Sequence, residues 1–292
     1  VFLVALGATS YGMLATFVKL AYKEDFTTAE VTSSQFIYGI IGILIINLFQ
    51  RTKNKNTAVK ASPKNIMHLM LAGTSLGMTS VFYYLAVKHI PVSIGIVLLM
   101  QTVWMGVLLE WFLDKKAPSA QKIISVIIVL IGTALAINIF KIDFNDPTID
   151  WSNGLFWGLL AAASFTTTMF TANKVALGIS SAQRSLYMLL GGAVIVFGFS
   201  LYTQVTPFNF EIFTKWGIVL ALFGTIIPPM LLNAGFPHTG IGLGSIVSSL
   251  ELPVSVMMAY FLLNEQVLLI QWIGIVLIIT AIVIMNIQIK KK

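Results

Sequence analysis

Stretches of about 20 apolar residues, separated by short polar or Pro/Gly punctuation, recur along all 292 residues. At 1.5 Å per residue each is long enough to cross a hydrocarbon layer about 30 Å thick. The pattern predicts helices at about 1–21, 31–49, 66–87, 91–113, 121–140, 152–173, 182–203, 215–236, 240–262 and 269–289. The largest polar pieces, Arg51 to Lys64 and Lys141 to Asp150, are each too short to form a domain. The expected fold class is therefore an all-α integral membrane protein of about ten transmembrane helices. The apolar stretch at Val1 has no basic leader and no small-residue cleavage site, so it reads as a first helix and not as a signal peptide.

Composition narrows the class further. Hydrophobic residues make up 57% of the chain and charged ones 10%, with mean hydropathy +0.90, which excludes a water-soluble fold. The net charge of +7 comes from short basic runs between apolar stretches, not from a basic stripe with interleaved aromatics, so membrane lipid and not nucleic acid is the expected partner. With no cysteine, disulfides and thiolate chemistry are excluded. His68, His89 and His238 are scattered, so neither a metal nor a cofactor is expected.

Lys and Arg are depleted from translocated loops. Arg51, Lys53, Lys55, Lys60, Lys64, Lys115, Lys116, Lys122, Lys174, Arg184, Lys290, Lys291 and Lys292 fall on one side of the predicted helices. Lys19, Lys23, Lys88, Lys141 and Lys215 fall on the other, with Glu24, Asp25, Glu30, Asp143, Asp146, Asp150, Glu211 and Glu265. Both termini are expected on the richer, cytoplasmic side.

Displacing the chain against itself by about 150 residues superposes like features. Ser34 to Tyr38 falls on Gln183 to Tyr187, Gly73-Thr74 on Gly224-Thr225, His89 on His238, Gln101 on Glu251, Leu113-Asp114 on Leu263-Asn264, and Gln121 on Gln271. The chain reads as two five-helix repeats, 1–145 and 146–292. Five is odd, so the second repeat enters the membrane from the opposite side. Inverted repeats of this kind recur in transporters that hold a solute near the midplane, where the halves meet.

These residues resemble the EamA-type ten-helix members of the drug/metabolite transporter superfamily. The resemblance rests on Gly7-Ala8-Thr9-Ser10-Tyr11-Gly12 running to Lys19, and on Ser248 to Val254, Ala259 to Glu265 and Gln271 to Gly274. It covers the whole chain and is looser in the first half: Gln101 stands in place of an acidic residue, Val103 of a proline, Lys115 of a glutamate and Gln35 of a basic residue. The resemblance implies export or uptake of amino acids and other small metabolites without ATP, in a bacterial cytoplasmic membrane.

Glu251 is the most informative residue, because an ionisable group about eleven positions into an apolar helix is expensive and points to function. Helical spacing places Gly244, Ser248, Glu251 and Ser255 on one face, suited to lining a cavity. A carboxyl held there could exchange a proton or bind an amine; alternatively it only bonds backbone groups freed by Pro253. Gln101, its repeat partner, shares a face with Trp104, and together with Glu251 they could bracket a solute from both halves; Trp104 could stack on the solute or instead fill the core or face lipid. Tyr11 and Tyr83 are further candidates for the solute site, and Thr167, with Thr166 and Thr168, for its hydroxyls, against the alternative of bonding their own backbone. Pro228 and Pro229 remove two donors in mid-span, so the eighth helix must bend or break, and Asn233 one turn on could meet the freed carbonyls or the solute. Glu110 and Asp114, beside Lys115 and Lys116, read as an interfacial ion-pair group, and Lys174 and Arg184 as snorkelling anchors.

No nucleophile with a base, no paired carboxylates, no metal cluster and no phosphate-binding glycine loop is present, so no catalytic residue is assigned and an enzyme is not expected. The expected function is secondary transport of a small solute, an amino-acid or metabolite exporter, with a multidrug or lipophilic-cation transporter as the alternative, and a channel or a non-transporting membrane protein as more remote ones. The protein is expected to act as a monomer or a homodimer.

Overall fold

The computed structural model describes residues 1–53, 61–144, 146–147 and 149–286. Lys55, Lys60, Lys290, Lys291 and Lys292, assigned above to the cytoplasmic side, lie outside the described residues. Among the described residues, nine helices are long and apolar enough to span a membrane, and a tenth, Ala120–Ala136, is slightly shorter. The helices are α1 (Phe2–Lys23), α2 (Thr28–Lys53), α3 (Pro63–His89), α4 (Val92–Leu99), α5 (Thr102–Asp114), α6 (Ala120–Ala136), α7 (Trp151–Lys174), α8 (Ser181–Thr203), α9 (Ile218–Ala221), α10 (Ile227–Thr239), α11 (Ile241–Ser248), α12 (Glu251–Leu263) and α13 (Leu269–Asn286).

Helix starts follow local chemistry. Ser62, Asp150, Ser119 and Ser180 each accept a hydrogen bond from the backbone N–H three residues on, capping α3, α7, α6 and α8. Helices α5 and α12, which correspond in the two repeats, both end on a left-handed residue, Lys115 and Asn264. The outer surface carries Ile41, Leu44, Leu48, Ile127 and Val276 exposed, as a lipid-facing surface requires.

Lipid tails are as apolar as leucine, so helices associate through close packing at small residues. A methyl group on Gly73 would overlap the carbonyl of Met188, and one on Gly191 the carbonyl of Met70, so α3 and α8 touch backbone to backbone. The corresponding contact in the other half joins Gly39 and Gly42 of α2 to Thr225 and Ile226. On the pseudo-axis, Gly132 of α6 meets Gly274 of α13. Gly191→Val is expected to separate α3 from α8 and to cost roughly 3 kcal/mol or more, measured as a lower midpoint of thermal unfolding in detergent.

Two of the expected continuous helices are interrupted. The fourth breaks at Met100 and Gln101, between α4 and α5, and the ninth at Ser249 and Leu250, between α11 and α12. Pro253 explains the second break: it has no N–H for the carbonyl of Ser249, which accepts from Leu252 at 3.2 Å instead. The first break has no proline. There the chain tightens through Gln101 N–H to Leu98 O at 3.0 Å and Val103 N–H to Met100 O at 3.1 Å.

The eighth span carries its distortion ahead of its prolines. Segments Phe213–Gly217 and Leu222–Ile226 are π-helical, with α9 between them, and Pro228 and Pro229 sit in the first turn of α10, where missing donors are tolerated. The span therefore widens at Leu222–Ile226 and remains helical on both sides.

Each described ion pair joins residues on one side of the membrane. Lys19 pairs with Glu265, Lys215 with Glu24 at 3.3 Å and Glu211 at 3.1 Å, and His89 with Asp150 at 3.6 Å, on the side away from the start of α1 (the far side). Glu110 pairs with Lys122, and Asp114 with Lys174 at 3.5 Å, on the side of the N-terminus (the near side). The ion-pair partners of Glu110 and Asp114 thus come from neighbouring helices and not from Lys115 and Lys116.

Candidate functional site

The two breaks bring Gln101 and Glu251 to mid-membrane in their respective halves. Their chemistry differs. Val97 O has lost its usual donor because Gln101 N–H turns to Leu98, and the Gln101 amide replaces it at 3.0 Å, while its oxygen accepts from Trp104 Nε1 at 2.8 Å. Gln101 is thus engaged at both ends, and Trp104 packs against the cluster of Val103, Val107 and Ile246. Glu251 has no such use. Among the described residues no group lies within hydrogen-bonding distance of its carboxyl, the Ser249 carbonyl being taken by Leu252. The carboxyl is half-buried, within electrostatic reach of the hydroxyls of Tyr11 from α1 and Tyr83 from α3.

Close approach of α1 makes this arrangement. Gly12 lies against the Glu251 carbonyl, where a methyl would come to 2.5 Å, and against Val254. Tyr11, next in the chain, then stands between two regions. On one side is Glu251. On the other is a small cavity of about 20 Å³, room for about one water molecule, walled by Phe165, Thr168, Met169, Pro229 and Asn233 among others. Tyr11 meets Phe165 edge-on at 6.1 Å between ring centres. Asn233 donates to Ser185 Oγ at 2.8 Å and leaves its own amide oxygen buried and unpaired.

Other candidates lie elsewhere. Thr167 is exposed on the outside of the bundle and donates to Ala163 O at 3.0 Å, so it does not reach the solute region; its neighbour Thr168 lines the cavity instead. The helix turns about 100° per residue, which puts Thr167 and Thr168 on different faces. Ser248 is 3% exposed with an unpaired hydroxyl. The small-residue face is packed below it, where Phe236 covers Gly244, so of that face Glu251 and Ser255 keep some access.

Arg184 does not snorkel. It is 2% exposed, and its guanidinium donates to the carbonyls of Thr171, Ala172 and Val175 at the end of α7 and of Asn233 in α10. Pro237 explains the last bond, since it cannot donate to the carbonyl four residues before it. Nearby, Asn173 donates to Phe236 O at 2.6 Å. These bonds tie α7 to α10 on the near side. Helix α5 is tied to α11 there as well, through Ser245 Oγ to Val103 O at 3.1 Å and Glu110 against Gly240 and Gly242. Inverted symmetry maps these two contacts onto α1 with α3 and α4 with α12 on the far side, where no comparable packing exists among the described residues. At these two contacts the far side is the looser one, whereas α1 packs closely on α12 there.

Comparison with known proteins bears on the whole chain. The profile described as the EamA-like transporter family matches residues 1–138 and 152–287. A solved structure, described only as the crystal structure of a protein, superposes with a TM-score of 0.80 at 13% identity, over 97% of this chain and 98% of that one. No curated protein matches.

Proposed function

The chain belongs to the EamA-like transporter family, within the drug/metabolite transporter superfamily, and on that premise we propose that it is a secondary transporter exporting small organic solutes, of the amino-acid and metabolite kind, by alternating access. The observation that carries this reading is the unequal packing of symmetry-related contacts. Helices α5 and α11, and α7 and α10, are closed on the near side, while their counterparts on the far side are loose. Two inverted repeats can exchange these arrangements, and a solute held at the mid-membrane breaks would then face first one side and then the other.

Glu251 is the proposed coupling group. A single carboxyl that holds either a proton or the solute, but not both, exchanges one for the other. The titratable groups facing it are Tyr11 from α1 and Tyr83 from α3, neither of which carries positive charge. The near side is proposed as cytoplasmic, in the cell membrane, with export the direction of transport.

The test is flux of a pool of labelled amino acids and related metabolites into proteoliposomes, with and without a pH gradient. Saturable flux, faster when the compartment receiving the solute is acidic, is the expected result. Flux that never saturates would favour a channel, and no flux above empty liposomes would remove the transport reading. A lipophilic-cation transporter is the second reading, favoured by the lone carboxyl beside two tyrosines.

A further inference from the structure

We infer that the near-side cleft between α5 and α7 is a binding site for a small zwitterion, whose ammonium group is taken by Asn173 and Asp114 and whose carboxylate is taken by Lys174; that it serves as the entry for export rests on the transport reading. The cleft has a volume of about 220 Å³ and is lined by Glu110, Asp114, Asn173, Lys174, Leu177 and Pro237 among others. At about 30 Å³ per water molecule it has room for about seven heavy atoms, the size of a small amino acid. Asp114 and Lys174 are half-exposed, so the cleft opens to the near side.

One wall is built to receive a donor. Asn173 is 6% exposed, and its Nδ2 donates to Phe236 O at 2.6 Å, which fixes the orientation of the amide. Its Oδ1 accepts from none of the described residues. A polar atom held this way is completed by a donor that enters the cleft. Because Asn173 also ties α7 to α10, a solute bound to it sits on one of the contacts that must part for the near side to open.

The charges of the cleft fit a solute that carries both signs. Glu110 is already engaged, by Lys122 and against Gly240 and Gly242. Asp114 and Lys174 are held less firmly: their contact, at 3.5 Å between two half-exposed side chains, contributes little. A zwitterion entering between them replaces that one contact with two charge-assisted ones, ammonium to Asp114 and Asn173, carboxylate to Lys174. A solute with a single charge leaves either Asp114 or Lys174 without a partner.

The test uses three probes: alanine, alaninamide, which lacks the carboxylate, and N-acetylalanine, which lacks the ammonium group. Binding to the purified full-length protein is read as thermal stabilisation in detergent. Its place is read as protection of Leu177→Cys from a maleimide, since Leu177 is exposed at the cleft and the chain has no cysteine of its own. Alanine is expected to bind about tenfold or more tightly than either analogue. Lys174→Gln is expected to reduce alanine binding to the level of alaninamide, and Asp114→Asn to that of N-acetylalanine. Equal binding of either analogue to the wild type, no protection of Leu177→Cys, or wild-type alanine binding in both variants overturns the inference. Alanine binding at the cleft without flux in proteoliposomes would retain the site and remove the transport reading; saturable alanine flux unchanged in both variants would do the reverse.

Discussion

Replacing Glu251 by glutamine is expected to lower saturable solute flux by about 100-fold, the effect of losing roughly 2.7 kcal/mol of interaction with a charged solute group. The substitution keeps the size of the side chain. Among the described residues no hydrogen bond holds the carboxyl in place, so the fold has little to lose by it. Gln101 stands at the matching position of the first repeat and shows that a glutamine is accommodated at such a break, bonded to its own helix. The measurement is initial-rate flux of wild type and variant at equal amounts of folded protein. A variant that keeps wild-type flux and its response to a pH gradient would show that Glu251 neither binds nor couples.

Arg184→Met is expected to act on stability. Methionine nearly fills the volume, but it leaves the carbonyls of Asn233 and Ala172 buried without a donor, at about 1 to 3 kcal/mol each. Losing the desolvation cost of a buried cation offsets part of this, for a net loss of about 3 kcal/mol, or on the order of 6 to 10 °C in the unfolding midpoint. Arg184→Lys should recover only part of it, because one ammonium cannot reproduce a fork that reaches carbonyls on two helices. If the midpoint of Arg184→Met is unchanged, the guanidinium does not hold α7 to α10.

The spans, the duplication and the mid-membrane carboxyl were legible because each depends on a property that one residue or one apolar run carries by itself. Glu251 is costly in hydrocarbon whatever its neighbours are. Arg184 was misread for the complementary reason: a cation near a helix end usually reaches the interface, and nothing local announces that Pro237, far along the chain, leaves a carbonyl for it. The break at Met100 and Gln101 was also hidden, since Val103 replaces the proline that marks its counterpart and the tight turn depends on Gln101 bonding back to Val97. Thr167 and Thr168 have the same chemistry, and only the rotation of α7 decides which one faces inward.

Alternating access requires that the region of Glu251 and Tyr83 be reached from the far side, that the near side be held shut by the α5–α11 and α7–α10 contacts, and that the two exchange during transport. Because the chain has no cysteine of its own, single cysteines at Tyr83 and Asn233 can report on the two regions with a membrane-impermeant maleimide. Tyr83→Cys is expected to be labelled from the far side while Asn233→Cys is protected from both sides, and a transported solute is expected to expose Asn233→Cys from the near side. Equal labelling of both positions from the far side, or labelling of Asn233→Cys alone, would contradict it.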